Sequence, residues 1–171
     1  YYDTRINDMI YSKNIDTTLT QRINAGVAQV KGLELGLGVK LASWLDLNSN
    51  VSWINSEIMS NTADPLSVGK RLTGVPDRIV FVGLTARQGA WTGSVEARYS
   101  GQTYVQAQNT DIVTGVPGSR GAFTMVNAKL GYQFNKMVRA NLAINNLMDV
   151  EVYQFYKMPA RNATAELVLS F

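Results

Sequence analysis

The sequence predicts an all-β fold, an antiparallel up-and-down transmembrane β-barrel wall of about eight strands. Three observations predict it. Apolar residues recur at every second position through most of the chain, which puts them on one face of a strand and the polar residues on the other. The connections between these segments are by turns long and short, as in a meander with loops on one side of a bilayer and tight turns on the other. Aromatic residues gather near segment ends, where an amphipathic ring meets a membrane interface.

Residues 1–13, with Tyr1, Tyr2, Ile6, Ile10 and Tyr11, read as a first strand. Residues 14–26 are polar and include Thr17, Thr18 and Thr20, so a long loop is expected there. Gln29 to Leu41 carries the clearest pattern. Leu33, Leu35, Leu37, Val39 and Leu41 share one face, with Gly32, Glu34, Gly36, Gly38 and Lys40 opposite. A helix would scatter those leucines around its circumference. A tight turn follows at 42–44. Leu45, Leu47, Val51 and Trp53 then oppose Asp46, Asn48, Asn50 and Ser52, and residues 55–69 read as a longer loop.

Ile79 to Ala86 is nearly all apolar, so its faces have no period, but its length between Pro76-Asp77 and Gln88-Gly89 suits a strand. Trp91 to Gln102 alternates again, with Trp91, Val95, Ala97 and Tyr99 against Thr92, Ser94, Glu96, Arg98 and Ser100. Residues 104–121 hold Gly115, Pro117, Gly118 and Gly121 and read as a long loop. Thr124 to Phe134 and Val138 to Asn145 alternate on either side of a turn at 135–137. A loop at 148–160 leads to a last strand ending on Phe171, with Ala163, Ala165, Leu167, Leu169 and Phe171 on its apolar face.

The connections thus run long (14–26), short (42–44), long (55–69), short (88–90), long (104–121), short (135–137), long (148–160). Trp44, Trp91, Phe134 and Phe171 lie at the short-turn ends, and Trp53 and Tyr99 near the opposite ends. A soluble antiparallel sandwich also alternates. Its inward face would carry larger residues than Ala97, Ala128, Ala140, Ala163 and Ala165, whose gaps lipid fills more readily than a packed core does.

Composition narrows function. The 171 residues contain no cysteine and no histidine, which removes disulfides, thiolate metal sites and the commonest general base. The net charge of +3 is spread along the chain, which argues against a nucleic-acid stripe. No run of about 18 apolar residues exists, so no transmembrane helix is expected, which says nothing against a barrel. No signal peptide opens the chain, which begins on Tyr1-Tyr2-Asp3 as though cut from something longer. Glu34, Glu96, Arg98, Lys129, Arg139 and Glu166 fall on the polar face and read as a hydrogen-bonded lumen wall, so no enzyme, cofactor or metal site is expected. Gly32, Gly36 and Gly38 sit inside a strand and lack the order of a nucleotide-binding loop; Gly69-Lys70-Arg71 lacks the rest of a phosphate loop.

Asn145-Asn146-Leu147-Met148-Asp149, then Tyr153, Arg161 and terminal Phe171, resemble the carboxy-terminal signature of TonB-dependent outer-membrane receptors. Tyr1 to Tyr11, Gly32-Leu33-Glu34-Leu35 and Gly69-Lys70-Arg71-Leu72 through Val75-Pro76 resemble further strand starts of that family, in its order. Met148, where the family usually has Phe, and Ala160, where glycine is usual, depart from it. The resemblance implies that residues 1–171 are the carboxy-terminal part of a plugged barrel of about 22 strands, with the amino-terminal plug absent. It implies uptake of a ferric siderophore or similar metal chelate across the outer membrane of a Gram-negative bacterium, energised by a TonB-type inner-membrane partner through that absent part. It implies outer-membrane lipid around the wall, and barrel-assembly machinery that reads a carboxy-terminal signal at Leu167, Leu169 and Phe171.

Ligand contact is expected in the external loops, where Tyr104, Gln106, Arg120, Tyr156 and Lys157 offer aromatic faces and cations to an anionic chelate. Two other readings stay open. A complete eight-stranded barrel with a structural or adhesive role requires the first and last strands to pair with each other. A soluble β-sandwich binding module requires a second layer over the leucines of 33–41.

Overall fold

The computed structural model describes residues 1–171, excluding the side chains of Lys13, Asn14 and Ala25. One antiparallel sheet dominates. Its strands are β1 (Tyr2–Asn14), β2 (Thr20–Ala42), β3 (Leu45–Asn61), β4 (Arg78–Gln88), β5 (Trp91–Ser100), β6 (Phe123–Gln133), β7 (Val138–Asn145) and β10 (Asn162–Leu169), paired in that order. A separate hairpin, β8 (Tyr153–Gln154) and β9 (Tyr156–Lys157), lies inside the last connection.

The ladder registers fix the two faces, because directly paired residues share one. Leu33 pairs with Trp53, Leu35 with Val51 and Val39 with Leu47. The same face continues through Leu47–Leu84, Leu84–Val95, Val95–Ala128, Ala128–Ile144 and Ile144–Ala163. This apolar face has no cover: Leu35, Leu37 and Leu41 are 55%, 54% and 53% exposed. A soluble domain does not display a patch of this extent, and among the described residues only Ala28, Ile58 and Val152 form a buried apolar core. The face is the lipid side of a transmembrane wall. The second layer that a sandwich requires is absent among the described residues. At the short-turn end Trp91, Tyr132 and Phe134 stack in sequence, with ring centroids 4.5 and 4.8 Å apart, as an interfacial girdle.

The opposite face is polar and cross-bonded. Asn127 donates to Glu96 at 2.9 Å, Asn141 donates to Glu166 at 2.8 Å, and Arg139 donates to Asn141 at 3.0 Å. Gly32 serves packing here: a β-carbon at that position would collide with the ring of Tyr2, which pairs with it and lies across it.

Several expectations are corrected. The long loop expected at 14–26 is strand for most of its length, and only residues 15–19 turn. Asp16 organises that turn, its Oδ1 accepting from the backbone N–H of Thr18 at 2.7 Å and of Leu19 at 2.8 Å. Likewise β3 runs on to Asn61, so the loop expected at 55–69 lies at 62–77 instead. These extensions project past the Trp53 rung, where the outer face leaves the apolar band and the 62–77 loop packs against β3, burying Ser56, Ile58 and Asn61, so the apolar alternation that marks a lipid-facing strand disappears. For the same reason β1 meets β2 only from Gly32 outward, where Asp3, Arg5, Gln29 and Lys31 replace leucines on the outer face. The final ladder stops at Leu169, although the Ser170 N–H still donates to the Met137 carbonyl at 2.9 Å. The closed eight-stranded barrel is ruled out as well: β1 and β10 are the two edges of an open sheet and do not pair.

Candidate functional site

Three long connections, 62–77, 101–122 and 146–161, emerge from the same end of the sheet and knit together there. The first continues alongside β3: the Gly69 N–H donates to the Ile58 carbonyl at 2.9 Å, and the Ile58 N–H to the Lys70 carbonyl at 2.9 Å. Ser56 Oγ accepts from the Leu72 N–H at 3.3 Å. The first loop is stitched to the second by Asn109, whose Oδ1 accepts from the Arg71 N–H at 2.8 Å and whose Nδ2 donates to the Arg71 carbonyl at 3.1 Å. The Gly74 N–H donates to the Tyr104 carbonyl at 2.9 Å.

The second and third loops are joined in the same manner. Arg120 bridges to Gln154, the Phe155 N–H donates to the Ser119 carbonyl at 2.8 Å, and the Gly118 N–H donates to the Phe155 carbonyl at 2.7 Å. Phe155 itself turns the β8–β9 hairpin with a φ of 73°.

This stitching builds a pair of cation–aromatic contacts. The Arg71 guanidinium lies 5.8 Å from the Tyr104 ring centroid, and the Arg120 guanidinium 6.0 Å from that of Phe155. Gly74 stands between them, with Arg120 Nη1 3.6 Å from where its β-carbon would be. Arg71 is only weakly neutralised, by Asp77 at 4.0 Å. Arg120 Nε and Thr103 Oγ1 are buried without a hydrogen-bond partner among the described residues, although the Thr103 N–H donates to the Arg120 carbonyl at 3.1 Å. Buried donors are normally satisfied, so these two atoms are exceptions within the loop cluster.

The residues expected to contact ligand divide between this cluster and its rim. Tyr104 and Arg120 belong to it. Gln106 belongs to the turn that Asn109 ties to Arg71, where its carbonyl accepts from the Asn109 N–H at 3.0 Å and its side chain from Thr110. Tyr156 is exposed at the hairpin and packs edge-on against Phe155. Lys157 is paired with Glu151 at 2.9 Å. That bond holds the Glu151 carboxyl below its ordinary range, with help from Tyr153, and raises the Lys157 ammonium. Arg71 and Phe155 were not among the expected residues. Arg71 hid in a Gly-Lys-Arg stretch with no local partner pattern, and its aromatic neighbour lies on a different loop.

Leu167 and Leu169 are exposed on the apolar side of the β10 edge, and Phe171, two residues past the last ladder pair, is exposed as well. Among the described residues no group of three or more acidic, histidine or cysteine side chains could hold a metal ion.

A family profile described as "TonB dependent receptor-like, beta-barrel" matches residues 1–147. No curated protein matches the chain. Solved structures do. The siderophore receptor PiuA from Acinetobacter baumannii superposes with a TM-score of 0.72 at 21% identity, over 96% of this chain and 25% of that one. The ferric yersiniabactin uptake receptor FyuA from Yersinia pestis gives 0.70 at 23% identity, over 96% and 24%. The copper transporter OprC gives 0.73 at 17% identity, over 98% and 26%. The chain therefore spans about a quarter of the length of these structures, and identities this low establish the shared fold alone. With a lipid-facing antiparallel wall, polar on its other side, and the match over residues 1–147, the chain belongs to the TonB-dependent receptor β-barrel family.

Proposed function

We propose that residues 1–171 form the carboxy-terminal part of the barrel wall and external mouth of a receptor in the Gram-negative outer membrane that takes up a scarce nutrient as an anionic metal chelate. A plug lies upstream in the whole protein, and a TonB-type partner energises transport through that amino-terminal part. Outer-membrane lipid surrounds the wall. Leu167, Leu169 and Phe171 serve the barrel-assembly machinery as a carboxy-terminal signal.

The observation that carries the ligand reading is the pair of guanidiniums held on aromatic rings in one loop cluster, Arg120 on Phe155 and Arg71 on Tyr104. An anionic oxygen would accept from the guanidinium N–H groups of these two cations. A hydrogen bond to a charged group contributes about 1.5–3 kcal/mol, roughly ten- to a hundredfold in affinity. Metal-limited cells dependent on the full-length receptor test it against a panel of ferric and cupric chelates. Arg120→Ala and Arg71→Ala should cut uptake of the active chelate about tenfold or more, while Lys157→Ala, already neutralised by Glu151, should change it little. Undiminished uptake of every chelate by the Arg71/Arg120 double variant would refute the assignment.

A further inference from the structure

On the lipid side of the sheet, near the level of Trp53, lies a groove of about 370 Å³ whose walls include Lys31 and Leu33 of β2, Trp53 and Asn55 of β3, and Arg78 of β4. The registers put these side chains on one face: Leu33 pairs with Trp53, Trp53 with Arg78, and Lys31 with Asn55. The groove changes character along the strands. On the short-turn side of Trp53 it opens onto the apolar band of Leu35, Val51 and Val80. On the long-loop side it carries Lys31, and Arg78 stands across β3 on the Trp53 rung itself.

That polarity is the polarity of a lipid. Trp53, 41% exposed, stands where an amphipathic ring meets the membrane interface. Cations on or just beyond the rung of such a ring reach the depth of headgroup phosphates by extending their stems along apolar surface. Two acids stand nearby and neither cancels the charge. Asp3 pairs with Lys31 at 3.6 Å, but both side chains are about two-fifths exposed, and an ion pair that open contributes little and exchanges readily. Asp77 lines the groove with its backbone side, since its carboxylate occupies the space beside Gly101 and lies 4.0 Å from Arg71. Arg78 has no ion-pair partner among the described residues.

We propose that this groove binds an anionic lipid of the membrane leaflet on the long-loop side. Its phosphate lies between Lys31 and Arg78, and its acyl chains run along Leu33, Leu35, Val51 and Val80. The proposal rests on the membrane-wall reading of the sheet, and its test separates the two.

In the full-length receptor reconstituted into bilayers, lipids with brominated acyl chains quench the fluorescence of tryptophans that they touch. The quenching lost in the Trp53→Phe variant is the share due to Trp53. Brominated phosphatidylcholine should quench that share, because Trp53 faces lipid. Brominated phosphatidic acid should do so with about three- to tenfold higher relative affinity, the range two partly exposed charge contacts provide. Lys31→Gln with Arg78→Gln should bring the ratio to one, Arg78→Gln alone to an intermediate value, and Lys31→Arg should keep it. Heat-modifiable gel mobility checks that each variant is folded. A ratio of one in the unmodified receptor, or a preference that survives both Gln substitutions, overturns the lipid site and leaves the wall intact. No Trp53 quenching by either lipid overturns both.

Discussion

The Tyr11 hydroxyl donates to Asp64 Oδ2 at 2.8 Å, tying the β1–β2 hairpin to the 62–77 loop across 53 positions of sequence. Gln108 donates to both oxygens of the same carboxylate, at 3.1 and 3.0 Å, so one acid gathers a hairpin and two loops. Asp64 is itself set by Asn61, whose Oδ1 accepts its N–H at 3.2 Å while Asn61 Nδ2 donates to the buried Ser67 hydroxyl at 2.9 Å.

This junction predicts an alkaline transition. Burial first, then the hydrogen bond and charge of Asp64, push the Tyr11 phenol up to about 12 from its ordinary 10.0. The folded state therefore holds the proton more tightly than the unfolded one. The tie contributes fully below about pH 10 and is lost as pH rises through about 12. Absorbance at the phenolate band should show a tyrosine ionising at about 12, and Tyr11→Phe should delete that step. Protease cleavage within residues 62–77 should rise over the same pH interval in the unmodified chain, and already at neutral pH in Tyr11→Phe. If the step that Tyr11→Phe deletes lies at the ordinary 10.0 and not at about 12, the bond does not form in solution.

Asn146 predicts a structural lesion in the third loop. It is 1% exposed, and its Oδ1 accepts from the Val150 N–H at 3.0 Å while its Nδ2 donates to the Val150 carbonyl at 2.9 Å. Its own N–H donates to Asn127 Oδ1 at 2.9 Å, and its φ of 52° is one that asparagine tolerates better than most residues. Asn146→Ala strands a buried N–H and carbonyl and adds backbone strain, together about 2–4 kcal/mol. Asn146→Asp keeps the acceptor and should fall between. Chemical unfolding of the full-length receptor in micelles, with protease mapping of residues 146–161, measures both. An alanine variant as resistant as the unmodified chain would show the ring to be dispensable.

The same residue shows what the sequence reveals and what it conceals. Asn145 to Asp149 stood out as a motif, and the fold gives it a local role. Asn146 closes on Val150, and Asp149 Oδ1 accepts the Arg161 N–H at 2.9 Å while pairing with its guanidinium at 3.8 Å. Leu33 to Leu41 was legible because lipid on one side and a polar lumen on the other impose a period of two. Thr20 to Gly26 and Asn55 to Asn61 were not, since beyond the apolar band one face meets water and the other meets polar loop, which leaves no apolar period to read. The Arg71–Tyr104 and Arg120–Phe155 contacts were hidden for another reason. Each joins loops that only the strand order brings together, and no spacing along the chain records it.

The two exposed charges at the hairpin rim predict a null result of use as a control. The Lys157–Glu151 bond lowers the Glu151 carboxyl, so its contribution is present above the ordinary carboxylate range and fades as pH falls through the depressed value. Both side chains are more than half exposed, which screens the pair. Glu151→Gln should leave the unfolding midpoint at neutral pH unchanged and should free Lys157 without moving the Arg71 and Arg120 pair. A midpoint lowered as far as by Asn146→Ala would show that this rim pair anchors the third loop as strongly as Asn146 does.

Gly32 and Tyr2 supply the sharpest packing test. They pair directly between β1 and β2, and the ring occupies the volume a side chain at residue 32 would need. Gly32→Val must therefore displace the ring, at about 1–3 kcal/mol for overpacking, even though valine suits a strand better than glycine does. The obstacle is one side chain and not the backbone, so removing it should rescue the substitution. In the Tyr2→Ala background Gly32→Val should cost little or stabilise, giving a coupling of about 1 kcal/mol or more in a double-mutant cycle read by chemical unfolding of the full-length receptor. Additive effects of the two substitutions would mean that the ring does not lie over Gly32, and the glycine would then have to be explained by strand twist instead.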